Sequence, residues 1–310
     1  MNSQALSEAV AGFHRDYTNS NLPKGLSLAM PYGQESIHSQ FLIRRSDNRY
    51  DVRNDRGPAG FDAEFQRGNT DLAVEEVALR RYTAPYEIIP ESIQRSVAEQ
   101  VSLAEPVVNG QLDYLFGQYI NNLATAAGTL SSGTALDLSG FTADVAGSLK
   151  ADIRTVQKAC GKRPNVIYMG PDALDRFMLQ DSVFAGGALA AAASPTVERR
   201  TGAVDEEAIR AWFRRVLGLE LLVEDHVGIG TGGSADFLLS DTAVLAFAAG
   251  GSADSCFKTF HQDFGGGLAS FEVNETVRPQ PRGEIITAEA IYQVKVVNPA
   301  MGLKIDLTLS

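Results

Sequence analysis

From Pro90 onward the apolar residues fall three or four apart: Ile93, Val97, Val101, Ala104, Val108, Leu112, Leu115, Tyr119 and Leu123. That spacing puts them on one stripe of a helix about 45 Å long if it is unbroken. Pro106 and Gly110 interrupt the stripe, so a kink or a meeting of two helices is expected there. A second stripe, Phe141, Val145, Leu149, Ile153, Val156 and Cys160, predicts a helix stopped by Gly161 and Pro164. Cys160 falls on its buried face and reads as an inert core thiol. Val166–Met169 reads as a short strand, and Pro171 opens a helix with Leu174, Phe177 and Met178 on one side. After a small-residue stretch at 185–203, Asp205 caps a helix that buries Ile209, Trp212, Phe213 and Val216. Gly218 ends it, and Leu219–Val223 is again a strand. Two helix-to-strand handovers predict a compact α+β domain in the middle of the chain.

The last third alternates with period two. Phe237–Leu239, Val244–Phe247 and Phe271–Val273 are short strand-like runs. Ile286, Ala288, Ala290, Tyr292, Val294 and Val296 share one face against Thr287, Glu289, Gln293 and Lys295. A closing strand sets Leu303, Ile305, Leu307 and Leu309 opposite Lys304, Asp306 and Thr308. Together these two strands predict one antiparallel sheet, covered by the helix of residues 93–123.

The N-terminal part is different. Residues 1–35 are polar and broken by Pro23, Gly25, Pro31 and Gly33, a short helix and then an extended arm. Residues 36–82 begin with the strand-like Phe41–Ile43 and end with Val77 and Leu79 alternating against Ala78 and Arg80. Between 36 and 81 there are eight arginines, no lysine and eight acidic residues. Such a two-stranded excursion has little apolar surface of its own and is marginal in isolation. It is either a solvated hairpin or an intersubunit arm whose Arg44, Arg45, Arg49, Arg53 and Arg56 meet carboxylates on another copy.

Charge narrows the partners. Lys and Arg number 27 against 38 Asp and Glu, a formal net charge of −11, which disfavours general attraction to nucleic acid or an anionic membrane. The richest basic cluster, Arg44–Arg56, is interleaved with aspartates and would meet phosphate weakly. Two cysteines, Cys160 and Cys256, form no disulfide framework. Without a basic-apolar leader or a long apolar run, a soluble protein of a reducing compartment is expected.

Candidate chemistry is sparse. Gly228, Gly230 and Gly233 satisfy GxGxxG, but the apolar triplet Phe237–Leu239 beyond them looks like a strand. A dinucleotide fingerprint must open a helix, so these glycines read as a loop between strands. His14, His38, His226 and His261 show no ligand spacing. Asp225 and His226 are adjacent, so on a strand they point to opposite faces and read as surface polarity. No nucleophile elbow, Walker motif or cysteine beside a histidine occurs. No enzymatic centre, cofactor or metal site is expected.

The order of elements carries more. With RYTAPYEIIPES at 81–92, PNVIYMGPDALDRF at 164–177 and IYQVKVVNP at 291–299, the chain resembles the major capsid proteins of tailed bacteriophages, whose fold bacterial encapsulin shells share. The resemblance implies an α+β phage capsid fold: an N-terminal arm (1–35), an extended β-hairpin loop (36–82), a peripheral domain with a long spine helix (83–134), a central axial domain (135–275) and peripheral-domain sheet strands (276–310). It implies pentamers and hexamers closing an icosahedral shell around double-stranded DNA, assembled in a bacterial host cytoplasm. The five arginines would then lie in intersubunit contacts, and the 228–233 loop toward a capsomer centre. Partners would be many copies of the chain, a portal, in some shells a decoration protein, and a separate scaffolding protein, since no long scaffolding segment precedes the loop. Contact with packaged DNA would be weak and non-specific. Some relatives weld this loop to a neighbour through a lysine, but no lysine stands between Lys24 and Lys150, which implies non-covalent closure. An encapsulin-like compartment shell and a soluble α+β enzyme are the alternatives.

Overall fold

The structure, a computed structural model, describes residues 8–13, 15, 21–29, 31–34, 38–44, 72–85, 87–90, 97–183, 206–229, 235–237, 239, 241–249, 255–262, 270–275 and 283–309. The stretch at 185–203 and the cap at Asp205 lie outside these. A helical turn at 8–13 and the short α1 (Gly25–Leu28) lead into β1 (Pro31–Gln34). β2 (His38–Arg44) and β3 (Leu72–Ala78) pair antiparallel as a separate two-stranded sheet. β4 (Arg80–Thr83) and β5 (Glu87–Pro90) come next.

α2 (Val97–Ala127) is one helix and runs through Pro106. Of the kink or the meeting of two helices expected there, the second is absent: Pro106 sits on the exposed side of one unbroken helix. Ala104, Val108, Leu112, Leu115, Tyr119 and Leu123 are buried, as the stripe requires.

Two sheets flank this helix and the shorter ones. In the first, β14 (Gly283–Val296) is the hub, pairing antiparallel with β12 (Phe257–Gln262), β13 (Ser270–Glu275), β4 and β5, while β1 adds in parallel to β12. The buried row Ile286, Ala288, Ala290, Tyr292 and Val294 faces α2. The second sheet has the order β6 (Leu136–Asp137), β15 (Gly302–Thr308), β11 (Thr242–Ala246), β7 (Val166–Met169), β8 (Glu220–Val223). β15 therefore does not share a sheet with β14. Its alternation is as read, with Leu303, Ile305 and Leu307 buried, but it lies between β6 and β11. Period two sets which face a strand buries and leaves its neighbour open. Divisions at 135–275 and 276–310 accordingly cut across both sheets.

Strand alternation divides the core of the second sheet. Val166, Tyr168, Leu222, Val244 and Ala246 face the cluster that contains α2. Ile167, Met169, Leu221, Ala243, Leu245 and Ile305 face the other way, against α3 (Val145–Cys160), α4 (Pro171–Met178) and α5 (Glu206–Trp212). α3 starts on the Asp144 side chain, which accepts from Gly147 N–H at 2.9 Å, and ends at Gly161, whose φ of 73° suits glycine. Phe141, expected on its stripe, lies ahead of the cap and is 40% exposed. Cys160 is half-buried, with its thiol on the carbonyls of Val156 and Lys162. After α5 a π-helical turn, Phe213–Leu217, carries the chain to Gly218. That wider turn buries Leu217 and leaves Val216 half-buried. Among the described residues no helix is long and apolar enough to cross a membrane.

Candidate functional site

Of the residues picked from the sequence, Arg44 ends β2 opposite Leu72, and Arg45, Arg49, Arg53 and Arg56 lie outside the described residues. Gly228 lies in β9 (Val227–Ile229) opposite Asp236 of β10 (Ala235–Phe237), whereas Gly230 and Gly233 lie outside the described residues. The element after the glycine loop is a strand, as expected, but it begins at Ala235 rather than at Phe237. A pyrophosphate would need a helix in that place.

The excursion is rooted in its own subunit. Val77 and Leu79 are buried with Phe260 and Val297 on the face of the first sheet away from α2, and half-buried Ile291 joins them. Lys295 Nζ reaches the Glu76 carbonyl at 3.4 Å, and the Arg81 guanidinium grips the Glu289 carboxylate.

A polar node that the sequence did not suggest lies where the N-terminal segment, α2 and the second sheet meet. Glu224 follows β8 and keeps its ladder contact, donating its N–H to the Met169 carbonyl at 3.0 Å. Its side chain is 1% exposed. Oε2 accepts from Gly25 N–H at 3.1 Å and from the Tyr168 hydroxyl at 3.0 Å, and Oε1 pairs with His226 Nδ1 at 2.6 Å. Gly25 is seated so closely that a Cβ there would stand 2.5 Å from Leu123 Cδ2 and 3.0 Å from the Tyr168 hydroxyl. At the far end of α1, the Thr259 hydroxyl donates to the Ala29 carbonyl at 2.7 Å and shares a 2.8 Å bond with the Tyr119 hydroxyl.

Asp225 and His226 lie in the link between β8 and β9 rather than on a strand, and the Asp225 carboxylate, 80% exposed, stays 3.8 Å from His226 instead of facing the opposite way. The imidazole is not surface polarity, however. It is half-buried against the Phe116 ring edge, with its partner two residues back. Burial alone lowers its pKa, but the hydrogen bond and charge of Glu224, then Asp225 and Asp113, outweigh that and raise it above 6.5. Burial, then the Glu224 charge, pushes the Tyr168 hydroxyl well above the usual phenol range, so it serves as a donor and not as a base. Beside the node opens a hollow of about 390 Å³ lined by Asn21, Leu22, Lys24, Asp113, Asp225, His226 and Val227. Ligand atoms of Glu224, Asp225 and His226 lie within 4.8 Å of one another. Glu224 and His226 already satisfy each other, and Glu224 takes two further protein donors, so the trio is an ion-pair node rather than a cation site.

Other polar side chains fix loops. Asp152 accepts from Thr134 N–H and hydroxyl at 3.0 and 2.8 Å, tying the link after α2 to α3. Gln180 binds the carbonyls of Gly140 and Arg176 and accepts from Ala143 N–H. Asn165 exchanges two 2.8 Å bonds with the Ala248 backbone. Each side chain supplies hydrogen-bond partners to loop backbone that has none within a helix or strand.

No family model and no curated protein matches the chain. Solved structures do. A phage-related protein from Bordetella bronchiseptica aligns with a TM-score of 0.66 and 13% identity over 96% of this chain and 95% of that one. The capsid of the cyanophage P-SCSP1u gives 0.55 and 11% over 93% and 88%. An encapsulin complex from Synechococcus elongatus gives 0.53 and 13% over 93% and 88%. The chain has the α+β fold of phage capsid proteins.

Proposed function

We propose that the chain is a structural shell subunit, many copies of which close as pentamers and hexamers into an icosahedral capsid around double-stranded DNA. The observation that carries this reading is the match in fold over nearly the full length of both chains, to a phage-related protein and to a phage capsid. It leaves no sizeable part of this chain over for a separate catalytic domain. Two further features support it. The β2–β3 ladder forms a sheet of only two strands, which is marginal without partners. In the most elaborate polar cluster described above, the buried carboxylate is taken up by internal contacts, with Gly25 N–H, the Tyr168 hydroxyl and His226.

In this reading residues 1–35 are the arm and 36–82 the extended loop. Arg44, Arg45, Arg49, Arg53 and Arg56 meet carboxylates of neighbouring copies. The sheet built on β14 with α2 is the peripheral domain, the sheet containing β7, β11 and β15 with α3–α5 is the axial domain, and the loop at 228–233 faces a capsomer centre. Many weak repeated contacts hold the shell. The acidic chain lets DNA slide past it. The subunit works in the virion, is assembled in the host cytoplasm, needs no cofactor, and meets a portal and a separate scaffolding protein.

A second reading, a compartment shell that encloses protein, is favoured by the likeness to the encapsulin complex. Negative-stain imaging with light scattering on the purified chain tests both. Closed shells, tubes or rings of five or six are expected, and nucleic acid inside them marks the capsid. A monodisperse monomer at assembly concentrations overturns the shell reading.

A further inference from the structure

The segment Gly25–Ala29 is held at two ends by unlike chemistry. At Ala29 the anchor is neutral: Thr259 donates to the carbonyl, and burial keeps the adjoining Tyr119 hydroxyl protonated far into the alkaline range. At Gly25 the anchor is a buried carboxylate, and among the described residues its cationic partner is His226 when protonated. A buried carboxylate needs compensating charge as well as donors.

We propose that Glu224 and His226 form a proton-operated latch that holds residues 21–25 against the second sheet, while the Ala29 end stays anchored. The groups facing the imidazole come from each element packed there. Glu224 and Asp225 belong to its own stretch, Asp113 and the Phe116 edge come from α2, and Lys24 of the N-terminal segment shares the hollow. Tyr168 of β7 holds the other oxygen of Glu224. Three carboxylates against one lysine favour the imidazolium.

On proton loss the neutral ring can still donate Nδ1–H to Glu224, but the bond loses the donor's positive charge. Glu224 is then a buried anion served by neutral donors alone. Because the folded-state pKa of His226 is raised, the latch contributes in full below 6.5 and is lost as the pH rises through the raised value. Lys24, one residue before the latched N–H, makes the opening measurable. The proposal stands whether or not the chain builds shells.

The test is limited trypsin cleavage after Lys24 in the full-length protein, at pH values on both sides of the His226 titration. Rates are normalised to a free peptide substrate, and light scattering monitors the oligomeric state. Cleavage is expected to rise several-fold with pH in the native chain, and to be fast and flat with pH in His226→Gln. Hydrogen exchange of the Gly25 amide in the unmutated protein, corrected for intrinsic rates, is a second readout and should lose protection over the same interval. Cleavage and exchange that are flat with pH in the native protein, or that rise equally in His226→Gln, overturn the latch.

Discussion

The core beneath α3–α5 and the root of the excursion are closed by very different amounts of side chain. Under the second sheet Trp212, Phe213, Phe177, Ile167, Leu245 and Ile305 are buried together within one chain. At the root of the excursion the described residues contribute Val77 and Leu79 on Phe260 and Val297. Burying an aliphatic side chain contributes about 1.5–3 kcal/mol, whereas ordering one residue costs about 1–2 kcal/mol in backbone entropy. Two such side chains offset the ordering of only a few residues. Among the described residues the first region is closed by many such side chains and the root of the excursion by Val77 and Leu79.

Substitutions separate the two regions most sharply where burial is deepest. Trp212→Ala should cost about 3–5 kcal/mol in urea unfolding of the unassembled subunit. Gly170→Ala comes next. A Cβ there would lie 1.9 Å from the Leu239 carbonyl oxygen, so the backbone must shift, at about 1–3 kcal/mol in the same assay. Val77→Ala should cost the subunit only about 1–2 kcal/mol and yet lower the yield of assembled particles seen by light scattering. If Val77→Ala unfolds the subunit as severely as Trp212→Ala, the contrast between the regions is wrong. Arg45→Ala with Arg49→Ala should leave the subunit melt within about 0.5 kcal/mol of the parent and weaken assembly, by less as salt is raised and the parent's own ion pairs are screened. Unchanged assembly would remove these arginines from the interface.

How legible each part was depends on the kind of signal it leaves. The rows Ile286–Val294 and Leu303–Leu307 and the stripes of α2 and α3 repeat over many residues, so the buried faces could be read directly. Partner choice leaves no such trace, and β15 accordingly joined β6 and β11 instead of β14. Glu224 was missed because an acidic residue after Leu221–Val223 reads as the wet end of a strand. A signal was present: Leu222 and Glu224 are two apart and point the same way along an extended chain, and Leu222 faces the α2 core. Asp152 had the same clue, three residues after Leu149 on a buried stripe. In both cases the donors that make burial tolerable, Tyr168, Gly25 and Thr134, come from elsewhere in the chain and could not be anticipated.

Both sheets are completed by strands that are made late. β14 bridges four partners of the first sheet, and β15 is the inner strand between β6 and β11 in the second. Until residues 283–308 have been synthesised, neither sheet can close, however long the earlier helices have been waiting. A nascent chain therefore holds two incomplete sheets until its translation has passed that point.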